Sequence, residues 1–215
     1  MSFVLACLVY TVDLLRVSPP TRCSLPSAVG LMDRIYNPLE NNRIAFVTTA
    51  KESDGALTKL KVEAAPGAST FPHYHTRFSK SVEVLRGVLT VDLDGAARTL
   101  HRGHMASIGR EVPHQLSNTS DEPAEYTVEI RPGHADFETR LYILYGLARD
   151  EELDEAGHPK QLMHRAVLTR MGDTIRTDVS KPMQWFLRGL SLLPAARRAE
   201  QELRARYVPV PSESS

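Results

Sequence analysis

Cysteine is almost absent from this chain of 215 residues. Both cysteines, Cys7 and Cys23, lie before Met32, so the rest of the chain has no thiol for a disulfide, a nucleophile or a metal ligand. A net charge is also lacking, because 26 lysines and arginines balance 26 aspartates and glutamates. A neutral chain gives no electrostatic argument for binding nucleic acid or an anionic membrane surface.

No apolar run is long enough to cross a bilayer. The apolar segment at residues 3–10 is short and is soon followed by Asp13. No basic segment precedes it, as a secretory signal would require. Residues 1–31 are therefore interpreted as an N-terminal extension that is disordered or results from an upstream start codon. The domain is expected to begin at Met32, in a cytoplasmic protein.

Short segments with the composition of β-strands follow one another between residues 43 and 131. β-Branched and aromatic residues alternate or cluster in segments 43–49, 57–63, 88–94, 97–101, 115–118 and 126–130. The dipeptide Asp94-Gly95 is typical of a two-residue hairpin turn. Many short strands at regular spacing predict an antiparallel barrel or double-sheet jelly roll.

After residue 134 the apolar pattern becomes helical, which predicts a helical extension over residues 134–208 and a disordered tail at 209–215. The apolar residues of its three predicted helices are Phe137, Leu141, Leu144 and Tyr145, then Leu162, Ala166 and Val167, then Trp185, Phe186, Leu190 and Leu193. The second helix spans about residues 160–170, and the third starts near Pro182 and breaks or restarts at Pro194. We expect the third helix to pack against the barrel or a partner subunit rather than a membrane surface.

Three histidines lie within the strand-rich region. His73 and His75 are two residues apart, so on an extended strand both project from one face. His114 follows after an intervening set of strands. Buried imidazoles side by side most often share a divalent metal, here Fe, Mn, Ni, Cu or Zn. We expect His101 and His104 to be exposed.

The spacing around these histidines resembles the two motifs of the cupin superfamily. Matches to the first motif, G-x5-H-x-H-x4-E-x6-G, are Gly67, His73, His75 and Gly87. Matches to the second motif, G-x5-P-x-G-x2-H-x3-N, are Gly103, His114 and Asn118. The departures are Lys80 at the glutamate, Gly109 at the proline and Glu111 at the glycine. The resemblance covers about residues 57–133 and implies a jelly-roll barrel at 32–133, with a metal in its mouth held by the three histidines.

Lys80 puts a cation where related cupins have an anionic ligand. An ammonium about 5 Å from a divalent ion is repelled by roughly 6 kcal/mol at an effective dielectric constant near 20. Three arrangements are compatible with this: Lys80 turns toward solvent, or it pairs with an anionic ligand that also touches the metal, or it occupies the metal's place in a metal-free pocket. Glu83 is not expected to substitute, because its odd spacing from Lys80 places it on the opposite face of the strand.

The resemblance implies a small metalloprotein that binds a small anionic or oxygen-rich organic molecule in the barrel. If it is an enzyme, oxygenase or isomerase chemistry is expected, since three-histidine sites occur in iron-dependent dioxygenases of this superfamily. Lys80, Arg77 and Gln115 are the candidate substrate contacts. The alternatives are a non-catalytic binding or sensor cupin with a degenerate, metal-free pocket, and a dimerisation scaffold. A homodimer is expected, because cupins commonly pair through their sheets.

Overall fold

Two antiparallel β-sheets and a set of C-terminal helices make up the computed structural model, which describes residues 34–209. The strands are β1 (Arg34–Asn37), β2 (Asn42–Thr48), β3 (Thr58–Ala64), β4 (His73–Tyr74), β5 (Ser79–Arg86), β6 (Val88–Leu93), β7 (Ala96–His101), β8 (Met105–Ile108), β9 (His114–Ser117), β10 (Ala124–Arg131) and β11 (Ile175–Arg176). The helices are α1 (Ala135–Arg149), α2 (Leu162–Arg170), α3 (Lys181–Leu190) and α4 (Pro194–Tyr207), and a 3-10 turn spans Met171–Asp173. The predicted jelly roll with a helical C-terminal part is confirmed. The predictions for residues 1–31 and for the tail beyond residue 209 lie outside the described residues.

The two sheets face each other across an apolar core. One has the strand order β1-β2-β3-β10-β5-β8 and the other β11-β4-β9-β6-β7. Strand β5 shows the alternation that builds this core, because Val82 and Val84 are fully buried while Glu83 between them is only half-buried. The same alternation buries Lys80, so this side chain enters the barrel as the strand parity predicts.

Helix α1 covers one end of the barrel core. Phe137 and Tyr145 are buried in the same apolar cluster as the sheet residues, and Leu141 and Leu144 pack against it. The buried carboxylate of Glu138 accepts hydrogen bonds from the Ala50 amide at 2.6 Å and the Thr58 hydroxyl at 2.5 Å. Glu138 therefore fastens α1 to the barrel by polar contacts in addition to its apolar face.

The later helices differ from expectation at several apolar residues. In α2, Ala166 and Val167 are buried as predicted, but Leu162 at the first position is 46% exposed. In α3 only Leu187 is buried, and Trp185 and Phe186 are 76% and 52% exposed.

The exposure in α3 has a geometric reason. Successive helical residues are about 100° apart, so a helix that turns Leu187 inward directs its two preceding neighbours, Phe186 and Trp185, away from the same contact. Trp185 and Phe186 therefore do not pack on the barrel of this chain, and packing of the third helix against a partner subunit stays a prediction. None of the helices between residues 34 and 209 is long and apolar enough to cross a membrane.

The C-terminal extension contains a short strand as well as helices. Strand β11 pairs with β4, with Ile175 opposite Tyr74 and Arg176 opposite His73. A two-residue strand has no periodicity that a sequence pattern could reveal. The extension therefore continues the sheet that carries the histidines.

Replacing Glu138 by alanine should destabilise the protein by about 2–4 kcal/mol, because the buried Ala50 amide and Thr58 hydroxyl lose a charged acceptor. Urea unfolding of wild type and Glu138→Ala measures this loss. The exposed Glu155 serves as the control, and Glu155→Ala should change the free energy of unfolding by less than about 0.5 kcal/mol. A similar, small change in both variants would show that Glu138 does not fasten the helix.

Candidate metal centre

Two adjacent strands bring the three predicted histidines together. His73 opens β4, His75 lies one residue past its end, and His114 opens β9. The two strands pair with His73 directly opposite His114. One ring nitrogen of each histidine lies within 4.8 Å of the others, which makes this a group that can hold a metal ion.

Backbone carbonyls orient all three imidazole rings. The Nδ1 atoms of His73, His75 and His114 lie 2.6, 2.8 and 2.9 Å from the carbonyl oxygens of Phe71, Asp173 and Val112, respectively. A carbonyl can only accept, so each Nδ1 carries the proton and each Nε2 presents a lone pair. Metal-binding histidines are oriented by the same kind of contact.

Burial keeps the histidines neutral. It lowers the pKa of His75 and of His73 far below the usual value and that of His114 to about 3, and the nearby charge of Lys80 adds to the effect. Neutral imidazoles are the form that binds a metal. The pocket therefore presents unprotonated Nε2 atoms at ordinary pH.

Asp173, which the sequence analysis missed, fixes the chain just after His75. Its carboxylate accepts from the Thr76 amide at 2.7 Å, the Thr76 hydroxyl at 2.7 Å and the Arg77 amide at 2.6 Å. Its carbonyl oxygen is the acceptor for the His75 ring. One residue of the C-terminal extension thus sets both the backbone and the ring orientation of a candidate ligand.

Lys80 stands among the histidines. Its Nζ lies 3.3 Å from the Nε2 atoms of both His73 and His114, and 5.5 Å from the centre of the Phe137 ring. The side chain is 7% exposed, so it does not turn toward solvent. Burial lowers the pKa of Lys80 to about 7, and the charge of Glu40 opposes this shift.

One lone pair of the group is left over. His75 Nε2 is buried and has no hydrogen-bond partner among residues 34–209. Buried polar atoms are normally satisfied, and a metal held by the three histidines would satisfy this one. The histidines therefore fit a divalent metal, on the condition that Lys80 withdraws from His73 and His114.

The two other predicted substrate contacts do not reach this pocket. Arg77 is exposed, because the chain leaves the barrel after His75. Gln115 follows His114 on a strand and so points to the opposite face, where its Nε2 donates to the Ser69 hydroxyl and the Thr70 carbonyl. Of the three candidates, only Lys80 borders the cavity inside the barrel.

Charged residues that the sequence analysis did not select border this cavity of about 110 Å³. Glu40 comes from the turn after β1, Arg140 from α1 and Arg176 from β11. Glu40 is buried, and burial raises its pKa although the side-chain amide of Asn42 donates a hydrogen bond to its carboxyl group at 3.0 Å. His73 and Lys80 thus face a chamber in which most charged groups are cations.

Histidines outside the motifs occupy other places. His101 and His104 are exposed, as predicted. His134, to which the sequence assigned no role, accepts a hydrogen bond from the Phe137 amide and caps the start of α1.

Comparison with known proteins places the barrel in a family. Residues 60–130 match the family model described as the cupin domain. The tetracenomycin polyketide synthase protein TcmJ of Streptomyces glaucescens is 31% identical over 84 residues, which cover 36% of this chain and 56% of TcmJ. The chain thus spans little more than half the length of this curated relative.

Several solved structures align with the barrel at low identity. KdgF from Halomonas sp. is 21% identical with a TM-score of 0.41, over 45% of this chain and 83% of KdgF. An RmlC-like cupin from Shewanella frigidimarina is 20% identical with a TM-score of 0.43, over 50% of this chain and 89% of that protein. A cupin described as a sugar phosphate isomerase, from Silicibacter pomeroyi, is 19% identical with a TM-score of 0.43, over 47% of this chain and 71% of that one.

The class of protein is therefore a double-sheet barrel with a histidine group that can hold a metal. The match over residues 60–130 identifies this part of the chain as a cupin domain.

The stability of metal-free protein should depend on pH through Lys80. Its pKa is about 7 in the folded state and 10.5 when exposed, so between these values the unfolded state binds one more proton. The free energy of unfolding of wild type should therefore rise relative to Lys80→Met across this window, by up to about 1.4 kcal/mol, or about 3–6 °C, per pH unit. Melting curves in EDTA between pH 6 and pH 10 measure the difference.

The control for this titration is Lys51→Met, at an exposed lysine. The difference in melting temperature between Lys51→Met and wild type should stay constant between pH 6 and pH 10. A constant offset for Lys80→Met as well would show that the buried amine keeps an ordinary affinity for its proton.

Proposed function

We propose that this cupin is a metalloprotein that binds a small anionic or oxygen-rich organic molecule in its barrel, with His73, His75 and His114 as the metal ligands. The observation that carries the proposal is the buried, unsatisfied Nε2 of His75 beside two further Nε2 lone pairs. Each of these lone pairs lies on Nε2 because the opposite ring nitrogen is bonded to a carbonyl.

The chain's own residues have defined tasks in this function. His73, His75 and His114 would hold a divalent metal, which would supply a Lewis acid for oxygenase or isomerase chemistry. Asp173 holds the ring of His75 in its binding orientation. Lys80 releases His73 and His114 when they serve as ligands, and its ammonium can then donate to an anionic group in the chamber. Burial under α1 excludes water from these contacts.

A non-catalytic binding or sensor cupin is the second candidate, and one observation favours it. Lys80 Nζ lies within hydrogen-bond distance of two of the three candidate ligands. If this contact persists in solution, the lysine holds the metal's place and the barrel recognises its ligand without a metal.

The homodimer and the cytoplasmic location stay predictions.

Protein purified without an affinity tag should contain about one divalent metal ion per chain, measured by elemental analysis. His73→Ala and His114→Ala should each lose this metal while keeping the fold, since the apolar core between the two sheets is unchanged in both variants. His101→Ala, at an exposed histidine on β7, should keep the wild-type content. Full occupancy in both ligand variants would refute the assigned site, and wild type without metal would favour the sensor.

Changing Lys80 to glutamate should strengthen metal binding at least about tenfold, or 1.4 kcal/mol. The change removes a cation 3.3 Å from two ligands and introduces an anionic fourth ligand. Lys80→Met removes only the cation and should give an intermediate affinity. Calorimetric titration of metal-free protein with Mn(II) or Ni(II) measures all three.

The matched control adds the same carboxylate on the same strand. Ser81→Glu, one residue further along β5, faces the other side of the sheet and should leave the affinity unchanged. Unchanged or weaker binding by Lys80→Glu would mean that a carboxylate at residue 80 does not reach the metal.

A further inference from the structure

A second cavity, of about 280 Å³, lies beside the barrel chamber. Helices α1, α2 and α3, the segment before α2 and the region of β11 enclose it. Five residues border both cavities and form the boundary between them: Arg140, Leu144, Gly157, Thr174 and Arg176. Together the two spaces approach the roughly 300–1,000 Å³ of ordinary small-molecule pockets.

Arginines dominate the charge of this second cavity. Arg140, Arg165, Arg176 and Arg188 border it, against one carboxylate, that of Asp178. Two of these arginines have partners, because Arg176 pairs with Asp178 and Arg165 pairs with Asp154. Among residues 34–209, no carboxylate lies within 4.0 Å of Arg140.

Arg140 is the unusual member of the set. Its side chain is only 8% exposed, and of its five N–H donors one is bonded, to the Leu168 carbonyl at 2.7 Å. Arginines are rarely buried without a carboxylate or another anion, because the desolvation of the guanidinium needs compensation. Glu40 lies too far away for an ion pair, and its raised pKa makes it a weaker counter-charge.

The surrounding chain leaves space for this arginine. Gly172 has a φ of +75°, and a Cβ there would lie 2.7 Å from Arg140 Cδ. A side chain at residue 172 would therefore displace the arginine. Arg176, the neighbouring cation, stacks at 4.1 Å on the ring of Phe71, which holds its guanidinium at the boundary between the two cavities.

We propose that the ligand of this cupin is an organic carboxylate or phosphate, whose anionic group is bound by Arg140 at the boundary with the second cavity. This inference rests on the proposed function, since the rest of the ligand extends into the barrel chamber toward Lys80 and the histidines. The planar guanidinium offers a pair of parallel donors that matches a carboxylate or a phosphate oxygen pair. Arg176 adds positive charge beside it at the boundary between the two cavities.

The test uses the full chain, freed of metal with EDTA, and two probes, inorganic phosphate and succinate. Calorimetry at low salt should detect binding of at least one probe by wild type, and added NaCl should weaken it. Arg140→Met should bind at least about tenfold more weakly, since it loses the charged fork. Binding of phosphate would indicate a phosphate ester as ligand, and binding of succinate a carboxylate.

Two control variants distinguish a specific contact with Arg140 from a general effect of net charge or of misfolding. Arg149→Met removes the same charge from an exposed position of the same helix and should bind like wild type. Arg140→Lys keeps a positive charge without the fork and should be intermediate, which also covers the case in which Arg140→Met does not fold. Absence of binding by wild type, or equal binding by wild type and the Arg140 variants, would overturn the proposal.

The design also separates this proposal from the metal site. His114→Ala should bind the anion as wild type does, and Arg140→Met should bind Ni(II) as wild type does. Retained anion binding in a protein that takes up no metal would refute the proposed metalloprotein and leave the anion site standing. Metal uptake without any anion binding would refute the anion site alone.

Discussion

The contacts of Asp173 with the chain at His75–Arg77 are the constraint on which the pocket depends. They join residues about 97 positions apart and place the C-terminal extension at the edge of the histidine-bearing sheet. Strand β11 follows two residues later and completes that sheet beside β4. The extension thereby covers the barrel mouth, which a bare jelly roll would leave open to water. Without this cover, the burial that makes the histidines neutral would be lost, and so would the depressed pKa of Lys80.

Lys80 and a metal ion would use the same imidazole lone pairs. Each Nε2 atom can accept one hydrogen bond or coordinate one ion, and Lys80 already engages two of them. The third, on His75, stays unsatisfied, so the lysine alone is an incomplete occupant of the site. A charged lysine and a divalent ion repel each other strongly at this range. A metal ion would therefore have to compete with the ammonium of Lys80 for the same lone pairs, so the side chain at residue 80 would influence the affinity for the metal.

Much of the barrel could be predicted because its signals are local. Strand alternation identified the inward faces, and motif spacing identified the histidines. The same parity argument that placed Glu83 outside the pocket also applies to Gln115, which points away from His114. Arg140 had a signal as well, since it lies three residues after Phe137 within the apolar stripe of α1, and a charged residue in such a stripe is buried by its helix. Contacts made by Asp173 could not be predicted, because they depend on tertiary packing between distant segments.

The charges that border the chamber do not balance. Lys80 and Arg140 are buried cations without an ion-pair partner within 4.0 Å among the described residues, and Glu40 is the buried carboxylate that faces them. Because the pKa of Glu40 is raised, this carboxyl compensates less of the positive charge. Loss of the Lys80 proton relieves part of the excess, whereas an arginine keeps its charge at any ordinary pH. An anionic ligand bound as proposed would relieve both, because one end would pair with Arg140 and the other would draw Lys80 away from the histidines. The recognition of the anion and the release of the histidine lone pairs would then be coupled in the same chamber.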